Sequence, residues 1–124
     1  MPRDNLNKGQ LGEEEASSFL EKQGYKIITR NFKTKLGEID IIAKDRDTIC
    51  FIEVKTRESD KFGLPFESVT GFKQRRISKA AIVFLKSKNL LDSPARFDIV
   101  SIWPVEHRQE LIKNAFELDP SFTL

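Results

Sequence analysis

The chain has 124 residues, of which 39% are hydrophobic and 32% charged, and its net charge is +2. This length suits one domain around one core, so we expect a single domain over residues 1–124. No apolar run approaches the roughly 20 residues needed to cross a bilayer, which argues against a membrane partner. The N-terminus lacks the apolar stretch of a secretory signal and predicts a cytoplasmic location. One histidine and one cysteine exclude the usual His/Cys zinc sites, so any metal must be held by oxygen.

The first predicted element is a helix from about Leu11 to Gln23, because Ala16 and Leu20 recur at helical spacing and Gly24 follows. Three strands follow, in YKIITRNF, EIDIIAK and ICFIEVK. Short turns in KLG and DRDT join them. The simplest arrangement of these three strands is therefore an antiparallel meander.

Residues 57–70 contain glycine and proline and indicate an ordered loop. The segment FKQRRISKAAIVFLKSK then places Ile77, Ala80, Ala81 and Phe84 on one helical face. ARFDIVSIW predicts a strand, and LIKNAFEL is compatible with one more. The order α-β-β-β-α-β, with room for a further strand, predicts an α/β (α+β) fold in which two helices cover a mixed central sheet.

Charge is unevenly distributed along this order of elements. From residue 55 to residue 79 there are seven Lys or Arg against three acids, whereas the first predicted helix contains GEEEA. Such segregation suggests an anionic partner for one surface, although solvated charge is the commoner explanation of any single cluster. Arg96 and Asp98 share a strand face, and we interpret them as a structural ion pair.

Acidic residues lie where two of the predicted strands pair. Glu53 and Lys55 share a face of their strand, as Glu38 and Asp40 do on the preceding one, and Val54 faces the other way. Pairing through the DRDT turn would bring Asp40 beside Glu53. Neighbouring carboxylates share a proton or bind a cation, and Mg²⁺ or Mn²⁺ suits oxygen ligands. The alternative is an ordinary salt bridge from Lys55 to Glu53 or Asp40.

The arrangement of an acid, a hairpin and then Glu-x-Lys resembles the PD-(D/E)XK nuclease superfamily. Within it, the chain is similar to the YraN-type family of small bacterial endonuclease-like proteins. The segments that carry this resemblance run in family order from Gly12 to Val100: GEEEA, GYKIITRNF, GEIDIIAKD, FIEVKTR, GFKQRRISKAA and RFDIV. The resemblance implies a restriction-endonuclease-like core. It also implies that Asp40 and Glu53 are the motif acids and Lys55 its lysine, with Ile39 at the often replaced proline position.

The same resemblance implies roles for residues on both helices. Glu13 matches a helix-one glutamate that many members, including archaeal Holliday-junction resolvases, add to the metal site, and Gln74 resembles a glutamine that follows the lysine strand. Glu13 is spaced with Ala16 and Leu20 on the inward stripe. The competing explanation, acidic residues favoured near a helix N-terminus, applies to it equally.

Basic residues cluster at the start of the second predicted helix, where the helix dipole disfavours cations. A bound phosphate would compensate for this, and Arg57 shares the face of Lys55. An exposed basic face explains several of these residues equally well. The candidate nucleic-acid contacts are Arg57, Lys73, Gln74, Arg75, Arg76 and Lys79.

Together these features predict a Mg²⁺- or Mn²⁺-dependent endonuclease that hydrolyses phosphodiester bonds in DNA, with branched or structured DNA as the implied substrate. The alternatives are a non-catalytic nucleic-acid-binding or protein-interaction module on a nuclease fold, or an enzyme that acts only with a partner. Resemblance to junction resolvases implies a homodimer, and a monomeric nuclease fits the sequence equally well.

Overall fold

The computed structural model describes residues 8–57 and 70–117, which contain two helices and five strands. The elements are α1 (Lys8–Lys22), β1 (Lys26–Lys33), β2 (Glu38–Asp45), β3 (Thr48–Thr56), α2 (Gly71–Ser87), β4 (Ala95–Trp103) and β5 (Arg108–Phe116). The strands form one sheet in chain order, with β3 and β4 parallel and every other neighbouring pair antiparallel. The predicted mixed sheet with flanking helices is confirmed.

Helix α1 begins three residues before the predicted start and ends as predicted. Gly24 has φ 94°, and the N–H of Tyr25 donates to the Leu20 carbonyl at 3.0 Å while that of Gly24 donates to Glu21 at 3.0 Å. This pair of hydrogen bonds is a Schellman motif, which needs a left-handed residue where glycine stands. It turns the chain directly into β1.

The predicted meander of β1, β2 and β3 is confirmed. In the first turn, Thr34 Oγ1 accepts the N–H groups of Leu36 and Gly37, each at 3.0 Å. A Cβ at Gly37 would collide with the backbone of Arg76 on α2, so this turn packs tightly against that helix. In the second turn, Arg46 adopts φ 58° between Asp45 and Thr48, which pair across the hairpin.

The crossover from β3 to β4 contains α2, as a parallel pair requires. Thr70 caps this helix, its hydroxyl accepting the Lys73 N–H at 3.3 Å. The final strand, β5, extends the predicted LIKNAFEL segment toward the N-terminus and pairs with β4. Residues 58–69, which form most of the loop predicted for residues 57–70, lie outside the part of the chain that the structure describes. Neither described helix has the length and apolar composition to cross a membrane.

Two apolar layers hold the helices on opposite faces of the sheet. On one face, α2 buries Ile77, Ala80, Ala81 and Phe84 against a layer that includes Phe51. On the other face the layer contains Ala16, Leu20, Tyr25, Ile41, Ala43, Cys50, Ile52, Val100 and Ile102. Cys50 is therefore a core residue, and burial raises the pKa of its thiol to about 12.

A buried carboxylate, Asp98, organises the polar contacts on the α1 face. It accepts hydrogen bonds from Arg96 Nε at 3.0 Å, the Tyr25 hydroxyl at 3.1 Å and the N–H of Asn114 at 2.9 Å. Arg96 also reaches Asp45 Oδ2 at 2.7 Å. The expected Arg96–Asp98 ion pair is confirmed, and Asn114, with φ 54°, lies where the β4–β5 register shifts.

Removing Arg96 should leave the fully buried Asp98 charge without its cation. We expect Arg96→Met to lower the free energy of unfolding by about 3–5 kcal/mol, measured by urea denaturation. Lys113→Met is the matched control, because Lys113 is half exposed and pairs with Asp45 at 3.4 Å. It should cost at most about 1 kcal/mol. Equal costs for the two variants would contradict the assignment of Arg96 as the essential counter-ion.

Candidate functional site

The pairing of β2 with β3 stops just before the acidic residues. The last paired residues are Ile41 and Ile52, and beyond them the side chain of Asp40 replaces a backbone acceptor. Its Oδ2 accepts the Val54 N–H at 2.8 Å. This hydrogen bond holds the Asp40 carboxylate against β3 at the point where the two strands separate.

Asp40 and Glu53 form an interacting pair of carboxyl groups, as the predicted pairing of their strands through the DRDT turn implies. Burial, and next the charge of Asp40, raises the pKa of Glu53 to about 7. Burial also raises the pKa of Asp40, although the hydrogen bond from Val54 opposes this. A hydrogen bond between the two side chains lowers the pKa of Asp40 and raises that of Glu53. Burial and the neighbouring carboxyl both disfavour the charged forms of these two acids, so additional positive charge would stabilise the ionised pair.

Lys55 lies on the same face of β3 and contacts the acidic pair. Its Nζ lies 3.2 Å from Glu53 Oε1, and each of these two side chains is only 16% exposed. The salt bridge considered from the sequence therefore exists, but it is part of a larger cluster. Val54, between the two residues, packs in the layer on the α1 face as predicted.

Glu13 lies near Asp40 because α1 approaches the end of β3. A Cβ on Gly12 would collide with the Thr56 hydroxyl, so the helix backbone lies directly on that strand. The negative charge of Glu13 contributes to the raised pKa of Asp40. Since α1 begins at Lys8, Glu13 stands beyond the first turn, where a favourable helix-dipole effect has largely faded.

Of the candidate residues on α2, Lys73 extends toward the carboxylates. Contact with the Lys55 ammonium, and then burial, lowers the pKa of Lys73, while Glu53 and Asp40 oppose the change. The charged groups at this site are therefore two lysines, Lys55 and Lys73, and two acids, Asp40 and Glu53. Gln74, the next residue, is half-buried at the same end of the helix.

The other basic candidates occupy different surroundings. Arg75, Arg76 and Lys79 lie on the solvent side of α2, so the structure does not gather them with the carboxylates. Arg57 is half-buried just past β3, and its N–H donates to the Ile102 carbonyl at 2.7 Å. It thereby continues the pairing of β3 with β4.

Two neighbours of the site were missed by sequence reasoning. Ser101 is buried and is the β4 partner of Lys55, and its Oγ has no hydrogen-bond partner within the described parts of the chain. Its position follows from a parallel pairing that no local pattern reveals. Phe72, in contrast, has a signal: it is a large apolar residue off the buried stripe of α2, and it is 63% exposed.

The donor set of Asp40 and Glu53 fits a hard divalent cation. Mg²⁺ is commonly bound by one or two carboxylates and keeps several waters, so two acids suffice. Across residues 8–57 and 70–117, no group of three or more His, Cys, Asp or Glu side chains is close enough to hold a metal. Glu13 adds negative charge near this pair, and its role as a further ligand stays a prediction.

The chain matches a model of the uncharacterised protein family UPF0102 over residues 12–102. It belongs to this family. A UPF0102 protein of Syntrophus aciditrophicus is 53% identical over 116 residues, covering 92% of this chain and 91% of the relative. One of Geotalea uraniireducens is 52% identical over 118 residues, covering 93% of each, and one of Caldicellulosiruptor saccharolyticus is 47% identical over 118 residues, covering 90% of this chain and 100% of the relative.

Membership of UPF0102 confirms the YraN-type resemblance. The matched segment begins at the glycine that packs on Thr56 and ends within β4, so it includes every candidate site residue. The family description states no activity. Function must therefore be argued from the chemistry of the site.

Replacing Glu53 should reveal the repulsion between the two acids. Because the folded-state pKa is raised from 4.5 to about 7, protonated Glu53 contributes stability that is complete below pH 4.5 and is lost as the pH rises through 7. In EDTA, Glu53→Gln should therefore exceed the parent's free energy of unfolding above pH 7, by on the order of 1–3 kcal/mol. The difference should disappear below pH 4.5.

Urea denaturation at both pH values measures this effect. Glu110→Gln, at an exposed carboxyl on β5, is the control and should change stability by less than about 0.5 kcal/mol at either pH. A Glu53→Gln protein that is less stable than its parent above neutrality would show that the Lys55 ion pair outweighs the repulsion.

Proposed function

We propose that this UPF0102 protein is a metal-dependent DNA endonuclease that hydrolyses phosphodiester bonds. One observation carries the proposal: two neighbouring carboxyls lie beside two lysines where β2 and β3 separate. The carboxyls are those of Asp40 and Glu53, and the lysines are Lys55 and Lys73. Strongly shifted ionisable groups with specific charged neighbours are a feature of functional sites. The buried Asp98 cluster, which is fully hydrogen-bonded, provides the structural contrast within the same chain.

Asp40 and Glu53 would hold Mg²⁺ or Mn²⁺, and Glu13 would add negative charge nearby. A bound divalent cation supplies Lewis-acid polarisation of a phosphoryl oxygen and lowers the pKa of a coordinated water. The hydrogen bond from Val54 keeps Asp40 in place for this task, and Glu53, whose pKa is raised to about 7, would serve as the second ligand in its ionised form.

Lys55 would act on the reacting groups directly. Its ammonium, held 3.2 Å from Glu53, is positioned to orient the attacking water and to neutralise charge that develops on the phosphate. Lys73 brings a second cation to the same place from α2. Together the two lysines would offset the negative charge of an incoming phosphate.

The exposed basic residues of α2 would hold the DNA backbone. Arg75, Arg76 and Lys79 lie on one side of the helix, and Arg57 stands at the end of β3. Phosphate contacts of this kind release counter-ions, so affinity should fall steeply with salt. Branched or otherwise structured DNA is the proposed substrate, and a homodimer would place two such sites on its two strands.

A metal titration separates the enzyme from a non-catalytic module. We expect Mn²⁺ binding to the purified protein, followed by calorimetry or electron paramagnetic resonance, to be lost in Asp40→Asn and in Glu53→Gln, because each variant removes one of two anionic ligands. Glu110→Gln should bind Mn²⁺ as the parent does. Affinity that is unchanged in all three variants would place the metal elsewhere.

Cleavage of DNA tests the catalytic step. With Mg²⁺ or Mn²⁺, the protein should cut at least one of linear, flapped and four-way DNA, and Lys55→Ala should lower the rate at least about 100-fold. Lys44→Ala is the control, since Lys44 is exposed at the opposite end of β2 from Asp40. No cleavage of any substrate, or an undiminished rate in Lys55→Ala, would refute the enzymatic function.

A further inference from the structure

Exposed apolar side chains lie on α2 and on the β1–β2 turn that packs against it. Among the described residues, the large hydrophobic side chains with substantial exposure are Ile28 at 42%, Leu36 at 50%, Phe72 at 63% and Val105 at 81%. Single exposed apolar residues are ordinary on protein surfaces. Leu36 and Phe72 are different because the turn that carries Leu36 packs against the helix that carries Phe72.

The β1–β2 turn, which carries Leu36, packs against α2 one helical turn after Phe72. Leu36 immediately precedes Gly37, whose Cα lies against the backbone of Arg76. Phe72 is one helical turn before Arg76, and the Arg76 guanidinium lies 5.9 Å from the centre of the Phe72 ring. The exposed groups on this side of the molecule are the Phe72 ring, the Arg76 guanidinium in cation–π contact with it, and the Leu36 side chain on the adjacent turn.

Charge beside this surface points to a polyanion as the partner. Phe72, Arg75, Arg76 and Lys79 follow the helical spacing of one exposed stripe, and none of the residues in the first turn of α2 is acidic. Lys73, adjacent to Phe72 in sequence, turns the other way and reaches Lys55. The exposed Phe72 ring therefore lies within one turn of Lys73, the α2 residue that reaches the position proposed for the phosphate.

We propose that Phe72 stacks on an unpaired nucleobase of DNA whose backbone follows the exposed basic stripe of Arg75, Arg76 and Lys79. Aromatic side chains interleaved with cations are how proteins bind single strands, and stacking accepts every base because every base has a π face. A base within a continuous duplex is already paired and stacked on its neighbours, and so does not offer that face. The inference rests on the proposed function and narrows its substrate to DNA with a single-stranded segment or an opened base step.

Fluorescence anisotropy in EDTA tests this inference without any cleavage. The probes are a labelled single strand, a blunt duplex of equal length and a flapped duplex, titrated with the full chain at one fixed salt concentration. We expect Phe72→Ala to weaken single-strand and flap binding by about 5- to 100-fold and to leave duplex binding within about twofold.

Matched variants separate stacking from other roles of the ring. Phe72→Trp should retain the preference for unpaired DNA, whereas Phe72→Leu, which keeps apolar area but has no π face, should lose it. Ile28→Ala removes a comparably exposed apolar side chain from β1, near its Lys26–Lys44 pair and away from Asp40, and should have no effect.

The possible failures are distinguishable. If the three DNAs bind but Phe72→Ala weakens them equally or not at all, or if Phe72→Leu behaves as the parent does, the stacking inference is wrong while the nuclease proposal stands. If none of the DNAs binds, both are refuted. If the expected pattern appears but the cleavage assay with metal is negative, the stacking surface stands and the nuclease proposal fails.

Discussion

The parallel pairing of β3 with β4 is the constraint on which the site depends. Parallel neighbours cannot be joined by a tight turn, so the chain must leave the carboxyl end of β3 and return to the beginning of β4. Helix α2 makes that return, and its first turn consequently lies over the end of β3. This geometry brings Lys73 to Lys55 across 18 positions of sequence. Crevices at the carboxyl ends of such strands are where ligands bind in open α/β sheets.

Two groups of charged residues in this molecule show how differently a fold can treat a carboxylate. Asp98 is fully buried, but three neighbours donate to it and Arg96 balances its charge, so the cluster stabilises β4 and β5 against α1. Asp40 and Glu53 are also largely buried, yet they face each other, and their pKa values rise. The second arrangement adds nothing to the stability of a core, whereas a bound cation would relieve the repulsion between its two carboxyls. The contrast is the physical basis for treating one cluster as structural and the other as functional.

Local patterns were sufficient for the elements and for the central acids. The helical stripe of Ile77, Ala80, Ala81 and Phe84 predicted α2 because 3.6-residue periodicity depends only on neighbouring positions. The DRDT turn determined the register of its hairpin, and that register placed Asp40 opposite Glu53. Sequence reasoning grouped Lys73 with Arg75 and Arg76, but the structure turns Lys73 toward the acids and leaves the two arginines in solvent. It also overlooked Ser101, whose place beside Lys55 results from pairing between distant segments.

The amino-acid sequence by itself determined the elements, the antiparallel meander, the family and the acidic hairpin, because each depends on periodicity, turn residues or an ordered set of motifs. Tertiary structure decided which strand lies beside β3, how close α1 comes to Thr56 and which cation reaches the carboxylates. It also packed the turn that carries Leu36 against the backbone of Arg76, one helical turn after Phe72. These outcomes depend on contacts between residues far apart in the chain, and on shifts in pKa that arise only when burial removes water from charged groups.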